Sequence, residues 1–120
     1  MDEKYINERF DLISETGDNW YQGGEIAFNK NKVNEVRKLF LEFYKSDLTP
    51  SICPFPDRFI NFEWDYKNGM SYSLEINSGS FESTFYIFDM NDDTDKNDKE
   101  ININIHKKED WDIINNFINN

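Results

Sequence analysis

One cysteine and one histidine, Cys53 and His106, serve the whole 120-residue chain. A lone thiol cannot close an intrachain disulfide, so nothing marks an oxidising compartment. A zinc centre wants several Cys or His ligands, and one of each is too few without carboxylates. A Ser-His-Asp or Cys-His site would have to recruit His106, which stands beside Lys107 and Lys108 with no activated nucleophile near it in sequence. Cys53 lies between Ile52 and Pro54 and is expected to be a buried, structural thiol. Catalysis is therefore not expected, and no catalytic residue, cofactor or metal is assigned.

Basic residues are also scarce. The chain has 13 Lys and Arg against 24 Asp and Glu, for a net charge of −11. A field of that sign repels phosphate backbones and anionic lipid, so direct binding to nucleic acid or a membrane is not expected. A basic protein partner is favoured, although acidity also keeps a small protein soluble. No apolar run approaches the roughly 18 residues that span a bilayer. The segment Met1–Glu8 lacks the basic and apolar regions of a secretory signal. The expected location is the cytoplasm.

Glycine and proline are few, at 5 and 3, whereas aromatics are plentiful: 11 Phe, 6 Tyr and 3 Trp. That density argues for a packed core despite the charge. The length suits one domain over residues 1–120. Tyr5, Ile6, Phe10 and Ile13 predict a helix over residues 2–15, with Asp2 and Glu3 at its start and Gly17 at its stop. Residues 17–28 read as irregular, with a turn at Gly23-Gly24 and with Trp20 and Tyr21 as core or lid residues. Val33, Val36, Leu39, Phe40, Phe43 and Tyr44 predict a second helix over residues 30–45. Asp47–Pro56 crowds three prolines into seven residues and reads as an ordered crossing loop.

The apolar period then becomes two. Ile60, Phe62, Trp64 and Tyr66 share one face of a strand, with Asn61, Glu63 and Asp65 opposite. Asn68-Gly69 is a strong hairpin turn, and the returning strand places Tyr72, Leu74 and Ile76 against Ser71, Ser73 and Glu75. Phe81–Phe88 is apolar on both faces and reads as a central or helix-covered strand. Glu100–Ile105 alternates as a fourth, and Trp111, Ile114, Phe117 and Ile118 predict a helix over residues 108–119. The predicted class is α+β: a four-stranded antiparallel meander with two N-terminal helices and one C-terminal helix packed on one face. The other face would present Asn61, Glu63, Asp65, Ser71, Ser73, Glu75, Asn102 and Asn104.

The segment 89–100 carries six acidic and two basic residues. Asp89, Asn91, Asp93, Asp95, Asn97 and Glu100 fall at positions 1, 3, 5, 7, 9 and 12 of a calcium-loop spacing. Thr94 stands where that loop wants Gly, Lys96 where it wants an apolar residue, and the flanks read as strands. A solvated hairpin loop fits the same residues. A glycosidase-type carboxylate pair could be drawn from Glu63, Asp65 and Glu75, as from any acidic sheet.

The stretch Pro56-Asp-Arg-Phe-Ile-Asn-Phe-Glu-Trp64, then Asn68-Gly69, then Ser73-Leu-Glu-Ile76, resembles a hairpin of uncharacterised bacterial and mobile-element proteins. Size, acidity and the shortage of catalytic residues are similar to phage-encoded anti-CRISPR inhibitors. The use of Asn, Ile and Lys, with 16 Asn, is what an AT-rich genome produces. It is similar to inhibitors of type VI RNA-targeting effectors. The resemblance implies protein binding, in a bacterial cytoplasm, that blocks guide-RNA or target-RNA handling.

The function expected is inhibition of a nucleic-acid-handling protein through an acidic surface. The candidate contacts are Glu63, Asp65 and Glu75 on the sheet and Asp92, Asp93, Asp95 and Asp98 in the loop. Two alternatives remain: an immunity protein or antitoxin for a basic nuclease toxin, and a calcium-responsive module built on residues 89–100.

Overall fold

The computed structural model describes residues 1–18, 20, 27–91, 94 and 97–120, with the side chains of Tyr66 and Lys67 excepted. The expected Gly23-Gly24 turn and Tyr21 lie outside these residues. The elements in chain order are helices α1 (Glu3–Ser14) and α2 (Lys30–Phe43), strands β1 (Ser51–Phe55), β2 (Phe59–Lys67), β3 (Met70–Asn77), β4 (Glu82–Asp89) and β5 (Lys99–Asn104), and helix α3 (Lys108–Asn119). The strands form one antiparallel sheet in the order β1-β2-β3-β4-β5. The class is α+β.

The expected four strands become five. The extra strand is β1, inside the proline-rich segment read as a loop. Ile52 pairs with Phe62 and Pro54 with Ile60. The Ile52 N–H and carbonyl turn away from β2: the N–H donates to the Tyr5 hydroxyl at 3.3 Å, and the carbonyl accepts from Arg9 Nε at 2.8 Å. Backbone alternation turns the Pro54 nitrogen to the same outer side. The donor that proline lacks is thus one the ladder never needs, which is how an edge strand tolerates it.

Helices α1 and α2 begin at side-chain caps. Asp2 accepts from the Tyr5 N–H at 3.0 Å, and Asn29 from the Lys32 N–H at 3.0 Å. The β2–β3 turn has Asn68 at φ 53° and Gly69 at φ 77°, the two positive values that a tight hairpin turn demands. A side chain at Gly69 would also run into Asn91.

Ile60, Phe62 and Trp64 of β2, Leu74 and Ile76 of β3, and Phe85 and Ile87 of β4 are buried. Phe10 and Phe40 both pack on Phe62, at 6.1 and 5.1 Å between ring centroids, and Phe117 meets Tyr72 and Phe85. Asn115, buried on α3, ties off the end of α2. It accepts from the Lys45 N–H at 2.8 Å and donates to the Phe43 carbonyl at 2.9 Å. Trp20 packs on Phe28 at the core margin. Among the described residues no helix is long and apolar enough to cross a membrane.

Candidate functional site

The apolar alternation that buries one side of each strand sets the other side outward. Register then decides which outward residues become neighbours. Asn61 is opposite Glu75, and Glu63 is opposite Ser73. Across the next pair, Glu75 is opposite Thr84, Ser73 opposite Tyr86, and Ser71 opposite Phe88. Thr84 is opposite Asn102 and Tyr86 opposite Glu100. Small serines on β3 thus lie between larger side chains on β2 and β4.

The result is a groove of about 680 Å³ on this face. Glu63, Asp65 and Glu75 line it together with Phe55, Phe59, Tyr86 and Phe88. Among the described residues, no Lys or Arg lines it. The three carboxylates expected on the sheet are therefore gathered in one concavity. The aromatic members are what the sequence reading left out.

Hydrogen bonds hold parts of this surface. Ser73 Oγ donates to Asn61 Oδ1 at 3.1 Å, and Asn61 Nδ2 donates to Glu63 Oε1 at 2.8 Å. Burial pushes the Tyr86 phenol above its ordinary pKa, and the negative charges of Glu75 and Glu100 push it further. The Tyr86 and Phe88 rings stand parallel within 3°, at 6.0 Å between centroids. Phe55 and Phe88 are among the exposed large apolar side chains.

The loop residues fare differently. Asp92, Asp93 and Asp95 lie outside the described residues. Asp98 is used within the fold, its Oδ1 accepting the Asp89 N–H at 2.9 Å. Asp89, the first position of the calcium-loop spacing, accepts from the Asn91 N–H at 3.0 Å and from Asn97 Nδ2 at 3.1 Å. Among the described residues, no group of three or more His, Cys, Asp or Glu is placed to hold a metal ion.

Cys53 is exposed, which corrects the expectation of a buried thiol. Its neighbour Ile52 is the buried residue, and alternation along β1 turns Cys53 to the opposite face. His106 lies past β5, at the other edge of the sheet from Cys53. Its ring is 5.2 Å from Phe81 in an edge-on arrangement, with Nε2 3.7 Å from Glu35 Oε1. The fold does not bring the two together.

Comparison with protein-family models, curated proteins and solved structures returned no match for this chain.

Proposed function

We propose that this chain is a protein-binding inhibitor of a nucleic-acid-handling protein, of the anti-CRISPR or a similar anti-defence kind. Its acidic sheet face enters a basic groove and excludes the guide or target nucleic acid held there. The reading takes the three helices as the cover of one sheet face and the grooved face as the free one. One observation carries it: Glu63, Asp65 and Glu75 line a single concavity to which, among the described residues, no Lys or Arg contributes. Grooves that hold RNA or DNA present Lys and Arg, and complementary charge steers encounter and fixes register.

The test uses a partner cross-linked in cells and then purified. Labelled nucleic acid bound to that partner should be displaced by this chain. Displacement should weaken steeply with salt, and weaken again when Glu63→Gln, Asp65→Asn and Glu75→Gln are combined. A partner that keeps its nucleic acid while bound to this chain would overturn the inhibitor reading. Affinity insensitive to salt would overturn the electrostatic mechanism.

A further inference from the structure

The groove has a directional composition. Glu63, Ser73 and Tyr86 form a row across β2, β3 and β4. Asp65 lies further along β2, and Ser71 and Phe88 form the next pair on β3 and β4. The floor along β3 is Ser71 and Ser73, half-buried and small, with Glu75 next in the same row. One wall is carboxylate and the other is a pair of parallel rings. Two strand spacings separate the walls, about 10 Å between backbones.

Glu63 is also oriented. The Ser73–Asn61–Glu63 chain fixes one oxygen of Glu63, Oε1. Among the described residues no Lys or Arg forms an ion pair with Glu63, Asp65 or Glu75. The site therefore gathers negative charge that no described ion pair engages, across from an aromatic wall.

We infer that this trough is a recognition site for an arginine side chain presented by the basic partner. A guanidinium is planar and weakly hydrated, forks onto carboxylates and stacks on aromatic rings. Lysine offers a compact, strongly hydrated point charge that uses the carboxylate wall but gains less from the rings. Glu63 and Asp65 would hold the guanidinium, and Tyr86 and Phe88 would pack its apolar faces and stem. The inference rests on the acidic-face reading above and narrows its ligand from basic protein to arginine.

The test compares an arginine homopeptide with a lysine homopeptide of equal length, so that charge is held constant. Binding is followed by amide chemical shifts of the labelled protein. The arginine peptide should bind about fivefold to tenfold tighter, with shifts centred on Ser71, Ser73 and Tyr86. Combining Tyr86→Leu with Phe88→Leu should bring that preference below about twofold while leaving lysine-peptide affinity nearly unchanged. Phe88→Leu alone, at an exposed position, gives the same readout should the double variant not fold. Tyr86→Phe keeps the ring and should keep most of the preference. Equal binding of the two peptides, or a preference that survives loss of the rings, overturns arginine recognition and leaves the acidic-face reading standing. Shifts from neither peptide in the groove overturn both.

Discussion

Trp64 donates its indole N–H to the Tyr44 hydroxyl at 2.8 Å, and that hydroxyl donates in turn to the Leu48 carbonyl at 2.6 Å. Tyr44 is the residue that ends α2, so one phenol joins the helix end, the chain leading to β1, and β2. Its ring also packs on Phe40 and Trp64. Tyr44→Phe keeps the ring but leaves the buried Trp64 N–H without its acceptor. A loss of about 1–3 kcal/mol is expected, read from urea denaturation. An unchanged midpoint would mean that the Trp64–Tyr44 bond contributes nothing net.

The same phenol makes stability depend on alkaline pH. Burial raises the Tyr44 pKa above its ordinary 10.0, and hydrogen bonds with Ser46 and Trp64 offset part of that rise. Tyr72 is shifted the same way by burial. In the unfolded chain these phenols ionise at the ordinary value, while the folded chain still holds their protons. Proton binding is then greater in the folded state, so stability is fully present below pH 10 and falls as pH rises above it. Urea midpoints measured upward from neutral pH should decline on entering that range. Tyr44→Phe should flatten the decline, and an identical slope in that variant would assign the effect to other groups.

Much of this architecture could be read locally. The alternation of Ile60, Phe62 and Trp64, the Asn68-Gly69 turn and the helical spacing of Trp111, Ile114 and Ile118 each follow from a few adjacent residues. The strand β1 could not be read this way. Pro54 argues against a central strand, and only the tertiary position at the sheet edge, with Tyr5 and Arg9 meeting Ile52, makes it acceptable. Half of the groove was hidden for a similar reason. Glu63, Asp65 and Glu75 stand out as polar residues in apolar alternation, whereas Tyr86 and Phe88 lie in a strand that is apolar on both faces. Counting from the turns does not recover these pairings either, because an irregularity between Trp64 and Lys67 shifts β2 by one residue against β3, and four residues separate β3 from β4.

Because β1 belongs to the sheet, its one fully buried aliphatic residue belongs to the core. Ile52 has no exposed surface. Ile52→Ala should therefore cost about 2–5 kcal/mol by thermal or urea unfolding, the range for truncating a buried aliphatic side chain. Had this segment been only a crossing loop, the substitution would cost far less, so a change under about 0.5 kcal/mol would detach β1 from the core.

Asp98 has a structural duty that its charge does not serve. Its Oδ1 accepts the Asp89 N–H, and an amide oxygen can do the same. Asp98→Asn should leave the melting temperature nearly unchanged. Asp98→Ala, which removes the acceptor, should cost about 0.5–1.5 kcal/mol. Equal losses in the two variants would show that charge, not the hydrogen bond, matters there.

Two acidic sets compete to be the contact surface, and kinetics can separate them. Glu63, Asp65 and Glu75 lie in a groove where a partner side chain would be enclosed. Asp92, Asp93, Asp95 and Asp98 belong to the segment of densest charge. Charges at a rim act mainly on the association rate, whereas enclosed charge pairs act on the lifetime of the complex. The triple variant Glu63→Gln, Asp65→Asn, Glu75→Gln should therefore shorten the lifetime of the arginine-peptide complex, by about tenfold or more. The loop quadruple variant, each Asp replaced by Asn, should slow association and leave the lifetime nearly unchanged. Both should melt at or slightly above the parent temperature, since each relieves like-charge repulsion in a chain of net charge −11. Stopped-flow binding beside a thermal melt reads all of this. A triple variant that melts normally and retains the parent lifetime would remove the sheet groove as the contact. A quadruple variant with a shortened lifetime would place the enclosed contact in the loop.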